Sequence, residues 1–251
     1  TSNMPELSSE GRRMSIPGLD GWLETAQGRY VAEWEAAAVD GAIADVFGFH
    51  ALQLGLPQSD FLRANRIPLR QKAGDSGAVD VLCELTALPF ASHGADLVVL
   101  PHVLEFSTGA HQILREVERI LIPEGHLIIL GFNPLSLWGL RSRFDRSGGF
   151  PWHGAYLSLA RLKDWLQLLG FEVDRPVPGC HVPPCDQDAW LKRWRFMEKA
   201  GERWWGFPGG VYLLHAIKRT QAMRLITPNW RTQAVGSRAL RPVAQREGHG
   251  H

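Results

Sequence analysis

The chain has 251 residues, of which 45% are hydrophobic and 21% charged, and a formal net charge of +1. Such a length fits one α/β domain carrying extensions, the apolar content excludes a disordered chain, and no apolar run reaches the ~18–20 residues that cross a bilayer. Near-neutral charge argues against nucleic acid as the main partner. Three cysteines, Cys83, Cys180 and Cys185, are too few for a disulfide framework, and residues 1–15 lack the apolar segment of a secretory signal, so a soluble protein of the reducing cytoplasm is expected.

Residues 1–47 read as a helical extension. Asp20 stands where a cap would, and Tyr30, Trp34, Ala38 and Ala42 recur every four residues on one helical face. Gly48 then punctuates the chain, and FHALQL over residues 49–54 reads as the first strand, closed by Gly55. The following stretch contains Pro57, Pro68, Gly74 and Gly77, which leaves room for a short helix over residues 59–65 and a short strand over residues 68–72. Residues 79–85 are strand-like. Residues 95–100 form the continuous apolar run expected of a strand buried on both faces.

A helix is predicted over residues 109–121, where Ile113, Val117, Ile120 and Leu121 share a face and Pro123-Glu124-Gly125 ends it. Residues 126–130 are the next buried strand. A second amphipathic helix follows over residues 158–169 with Gly170 as its stop, then a strand over residues 171–174 and a last one over residues 210–218. Alternation of strands and helices implies a Rossmann-like, doubly wound, mostly parallel seven-stranded sheet with helices on both faces, occupying residues 48–219. Insertions are expected at residues 131–156 and 175–209. From Lys218 onward there are seven Lys or Arg and one acid, Glu247, so residues 220–251 read as a loose basic tail.

One run carries a resemblance. Leu88-Pro89-Phe90, Ala95-Asp96-Leu97-Val98-Val99, Val103-Leu104-Glu105 and the stretch from Leu114 to Arg119-Ile120-Leu121-Ile122-Pro123-Glu124-Gly125 resemble the second half of class I S-adenosylmethionine-dependent methyltransferases of the type 11 kind. That family reads D-x-x-x-LPF, then FDLVV, then a helix ending RxLxPGG. The resemblance implies S-adenosylmethionine as cofactor, a small-molecule methyl acceptor and an antiparallel last strand at residues 211–218. It implies that Glu84, at the family's acidic position after the third strand, and Leu85 recognise the adenine edge, and that Gln53, Gly55, Pro101 and His102 border the cofactor.

The first half departs from the family. In place of D/E-x-G-x-G-x-G stands Gln53-Leu54-Gly55-Leu56-Pro57-Gln58-Ser59, with one glycine of three and glutamine for the acid. Glycines there let backbone approach a ligand, and the helix that follows offers free N–H groups, whereas Pro57 removes a donor. The ribose-binding acid has no clear counterpart in Leu69-Arg70-Gln71-Lys72. A methyltransferase-like module with weak cofactor binding is therefore the alternative to an enzyme acting on a small or lipophilic acceptor.

Ligands of open α/β sheets bind beyond the carboxyl ends of the strands, which selects the loops at residues 55–59, 101–108, 131–156 and 175–209. A hydroxyl acceptor needs a base, and His102 and His153 are the candidates because imidazole titrates near neutrality. Trp138, Trp152 and Tyr156 either wall an acceptor pocket or belong to the core. Asn133-Pro134 follows the fifth strand and suits a helix cap rather than a catalytic motif. Cys180, His181 and Cys185 offer one thiolate pair at an unusual spacing, so no metal site is expected. Trp190, Trp194, Trp204 and Trp205 alternate with Lys192, Arg193, Arg195 and Arg203, a pattern that fits a lid over the core or a peripheral contact of residues 190–207 with an anionic membrane.

Overall fold

A computed structural model describes residues 18–144, 149–184 and 209–219, all within a compact unit spanning residues 1–220. The predicted tail and the Trp-rich residues 190–207 lie outside the described residues. Two helices come first, α1 (Leu19–Leu23) and α2 (Ala26–Ile43). Asp20 falls inside α1, and the helix that follows is capped instead by Thr25, whose hydroxyl accepts from the Gly28 N–H at 3.1 Å.

The sheet contains β1 (His50–Leu54), β2 (Leu69–Gly74), β3 (Val81–Leu82), β4 (Ala95–Pro101), β5 (Leu121–Phe132), β6 (Phe171–Val173), β7 (Val177–Gly179) and β8 (Val211–Lys218). Their order is β3-β2-β1-β4-β5-β8-β6, parallel from β3 to β5, with β8 antiparallel to β5 and β7 also pairing β8. The doubly wound architecture and the reversed last strand are as expected. Among the described residues the count is eight rather than seven because two short strands, β6 and β7, flank residues 174–176 and both pair with β8.

Side chains alternate between two faces, as the pleat requires. On one face Ala51, Leu97, Val99, Ile128 and Leu130 pack with Val31, Val39 and Ile43 of α2. On the other, Leu52, Leu54, Val98, Leu100 and Leu127 pack with Ile113 and Val117 of α4 (Ala110–Ile120) and Leu162 and Leu166 of α6 (Leu159–Leu168). Tyr30, Trp34, Ala38 and Ala42 are only partly buried, so the stripe of α2 that meets the sheet lies one residue further on than the spacing predicted.

The matching signatures hold one another in place. Asp96 accepts the Phe49 and His50 N–H groups at 2.8 and 2.9 Å, fixing where β1 starts beside β4. Arg119 donates to the Leu88 and Phe90 carbonyls, both at 2.9 Å, while Glu116 accepts the Leu88 N–H at 3.0 Å and pairs with Arg119. The Leu88-Pro89-Phe90 turn is thereby clamped to α4. Lys218, at the end of β8, is nearly buried and donates to the Glu118 and Leu121 carbonyls at the C-terminus of α4, where the helix dipole favours a cation.

Predicted boundaries differ most at four elements. The fifth strand runs Leu121–Phe132 rather than over residues 126–130, so Pro123-Glu124-Gly125 lies within it instead of ending the helix. Residues 59–65 form turns rather than a helix, for a reason given below. The second strand runs to Gly74, two residues beyond Lys72. The third shrinks to Val81–Leu82 because only Ala73 and Gly74 of β2 pair with it.

Candidate functional site

At the carboxyl edge of the sheet a cavity of about 280 Å³ is lined by Gly55, Leu56, Asp75, Glu84, Leu85, Thr86, Val103, Phe106, Ser107 and Thr108. Each comes from just beyond a strand end. Gly55 follows β1, Asp75 follows β2, Glu84 lies two residues past β3, and Val103 and Phe106 belong to the short helix α3 (Val103–Phe106) after β4. Two carboxylates line this cavity and, among the described residues, no cationic side chain does. The lining suits a ligand that presents hydroxyl or N–H donors, or positive charge. Asp75 accepts from the Ser76 hydroxyl at 2.9 Å, and Glu84 accepts from the Thr86 hydroxyl.

The loop after β1 is braced by its own glutamine. The Gln53 amide donates to the carbonyls of Gly55, Leu56 and Ser59 at 3.2, 2.8 and 2.9 Å, and its oxygen accepts the Phe61 N–H at 3.0 Å. Asp60 takes the Leu62 N–H and Asn65 takes the Ile67 N–H. These side-chain bonds replace the backbone ladder that a helix over residues 59–65 would need. Gly55 has φ +81°, and a Cβ there would lie 2.6 Å from Val103 Cγ2. Gly55→Ala is expected to cost about 1–2 kcal/mol in left-handed backbone alone, lowering the melting temperature by roughly 2–8 °C, and to push Val103 out of the cavity wall. Thermal melts with and without S-adenosylhomocysteine check both effects.

Behind the cavity lies a fully buried charged cluster. His102, at the end of β4 in left-handed backbone with φ 54°, places Nε2 2.5 Å from Glu35 Oε1 of α2 and Nδ1 2.9 Å from Glu105 Oε2 of α3. The second oxygen of Glu105 accepts the Phe132 N–H at the end of β5. Burial opposes the charged imidazole, but the Glu35 carboxylate and the hydrogen bonds to both glutamates outweigh it and push the His102 pKa up to about 10. Burial also raises Glu105. The same burial, reinforced by Glu105, keeps Tyr156 and Tyr212 protonated.

Both shifts make stability fall with rising pH. Stabilisation from His102 is complete below its ordinary value near 6.5 and is lost as pH climbs through about 10. Glu105, raised above its ordinary value, favours the fold below that value and loses this contribution as pH rises through its folded one. Denaturant unfolding between pH 6 and 10 is expected to show this decline, and Glu35→Gln to flatten it.

Comparison with known proteins agrees with this fold. A family model described as a methyltransferase domain matches residues 59–129. A SAM-dependent methyltransferase from Thermotoga maritima shares the fold with a TM-score of 0.59 at 17% identity, covering 80% of this chain and 94% of that one. The fold is therefore that of the class I S-adenosylmethionine-dependent methyltransferases, and residues 59–129 carry the match to the family model. A SAM-dependent methyltransferase from Archaeoglobus fulgidus gives a TM-score of 0.55, also at 17% identity, over 76% of this chain and 97% of its own. The Escherichia coli protein YafS is 36% identical over 131 residues, so the match spans 51% of this chain and about half, 55%, of that relative's length.

In this methyltransferase-like fold the residues singled out from sequence fall into three groups. Gly55, Glu84 and Leu85 line the cavity together. Gln53, Pro101 and His102 are buried beneath or beside it, and His102 has both ring nitrogens engaged. The aromatic residues surround Phe132: Trp138 and Tyr156 stack on it at 6.3 and 5.2 Å, and Trp152 lies 5.9 Å from Trp138. Trp138 donates to the Val182 carbonyl at 2.9 Å, and none of these three side chains lines the cavity. His153 is exposed and packs 5.0 Å from Phe106, which does line it.

Sequence reasoning missed Asp75 and Glu35. Asp75 was hidden by ending β2 two residues early. Glu35 had a signal: it lies four residues from both Val31 and Val39, in the middle of the buried stripe of α2.

Proposed function

We propose that the protein transfers a methyl group from S-adenosylmethionine to a small or lipophilic acceptor. The observation that carries this reading is the convergence of Asp75, Glu84 and Gly55 on one cavity beyond the ends of β1, β2 and β3. The cofactor fits this donor set. Asp75 would take the ribose hydroxyls and Glu84 with the Leu85 backbone the adenine edge, while Gly55 leaves room where a side chain would intrude. When bound, the cofactor supplies an electrophilic methyl group on a sulfonium.

The chain's own contribution is placement. In-line transfer needs donor and acceptor held together and water excluded. Phe106 and Val103 form an apolar wall for this, and the Glu35–His102–Glu105 cluster holds their segment against β5. Because the His102 nitrogens are already engaged, we assign His102 a positioning role. His153, exposed beside Phe106, is the residue placed to accept a proton from an acceptor hydroxyl.

One observation favours a second reading. With turns in place of a helix at residues 59–65, the loop after β1 has no helix N-terminus to offer, so a carboxylate there loses those donors. A binding module with weak cofactor affinity follows from that. Calorimetric titration with S-adenosylmethionine and S-adenosylhomocysteine separates the two readings. Binding of both supports the enzyme, and absence of heat for either, at protein concentrations suited to weak binding, sinks it. No helix among the described residues is long and apolar enough to cross a membrane.

A further inference from the structure

A second cavity, of about 470 Å³, adjoins the first and shares Ser107 and Thr108 with it. It lies between the first turn of α4 and the beginning of α6. Its lining carries charge of the opposite sign. Among the described residues, the first cavity holds Asp75 and Glu84 and no cationic side chain, whereas the second holds the Arg161 guanidinium with His111 beside it and no carboxylate. The Arg161 guanidinium sits 4.9 Å over the Trp165 ring, and His111 packs against the same ring, with centroids 3.5 Å apart. Leu104 and Leu157 complete an apolar wall. Among the described residues no carboxylate pairs with Arg161, so its donors are open to an outside anion. Guanidinium groups bind carboxylates and phosphates through paired N–H donors, and an aromatic platform beneath them orders the fork.

We infer that this second cavity binds the acceptor, and that the acceptor is an organic anion: a carboxylate or phosphate head on Arg161, with an apolar body against Trp165, Leu104 and Leu157. Ser107 and Thr108, common to both cavities, are the place where acceptor and cofactor meet. The identity of the ligand as acceptor rests on the methyltransferase reading; the anion site itself does not.

The test uses the full chain and three probes: benzoate, phenyl phosphate and the uncharged benzamide, followed by saturation-transfer and 1H–15N spectra. Both anions are expected to bind and to shift the Trp165 indole and His111 signals, benzamide to bind at least about tenfold more weakly, and Arg161→Gln to abolish the difference. Equal binding of benzoate and benzamide, no binding of either anion, or anion binding unchanged in Arg161→Gln overturns the proposal. Titration with S-adenosylhomocysteine is run separately. Anion binding without cofactor binding removes the methyltransferase reading and leaves the site, whereas cofactor binding without anion binding does the reverse.

Discussion

Glu35→Ala is expected to lower the unfolding free energy by about 3–5 kcal/mol, the usual effect of removing one partner from a buried ion pair. Glu35 is 3% exposed and His102 2%, so bulk solvent does not reach the group left behind. The imidazole is then left with Glu105 alone, and Glu105 is already raised by its burial. Because single domains have about 5–15 kcal/mol in all, the variant lies near the edge of folding. The diagnostic comparison is therefore Glu35→Leu, His102→Phe and Glu105→Gln together, in which every charge of the cluster leaves, similar volume remains and a carboxamide oxygen at position 105 can still accept the Phe132 N–H; replacing buried ionic groups by packed neutral ones is often neutral. The triple variant is expected to recover much of what Glu35→Ala loses. Urea melts that show Glu35→Ala as stable as the parent, or the triple variant as the sum of three single losses, reject the buried cluster as described.

That cluster also shows what sequence periodicity conveys and what it omits. The run from residue 79 to 131 was legible because apolar strand patterns, the Leu88-Pro89-Phe90 turn and Arg119 belong to one interlocked set of contacts, local enough to leave a pattern. The first strand was legible too, but the loop over residues 55–65 and the end of the second strand were not. A strand reading Leu-Arg-Gln-Lys-Ala-Gly has long polar side chains on the partly exposed flank of the sheet, so its end at Gly74 gives no apolar signal. The turns at residues 59–65 depend on where the Gln53 amide points, a matter of tertiary geometry. Glu35 looks like a solvated charge until its spacing from Val31, Val39 and Ile43 is weighed. A carboxylate in the middle of an apolar stripe requires a buried partner, and the partner, 67 residues away in sequence, is visible only in the fold.

Asp75→Asn is expected to weaken S-adenosylhomocysteine binding by about 10-fold to 100-fold, the equivalent of losing a charge-assisted hydrogen bond. The position follows from register. Gln53 pairs with Lys72 and Leu54 with Ala73, which brings Gly74 beside Gly55, and the residue after Gly74 then emerges at the cavity mouth. A carboxylate there can accept from two adjacent hydroxyls at once, whereas a carboxamide offers one acceptor and turns a donor toward the second. Glu84→Ala, which on the proposed cofactor reading loses a contact to a single amino group, is expected to cost about tenfold. The 2′-deoxy form of the ligand decides the assignment: it should lose affinity for the parent and little more for Asp75→Asn, because the variant has already lost the partner of that hydroxyl. Independent, additive losses would place the ribose elsewhere. Unchanged affinity in Asp75→Asn together with unchanged affinity in Glu84→Ala would mean that the acid-lined cavity binds no nucleoside at all, and the loop braced by Gln53 would then be the end of a structural scaffold rather than one wall of a cofactor site.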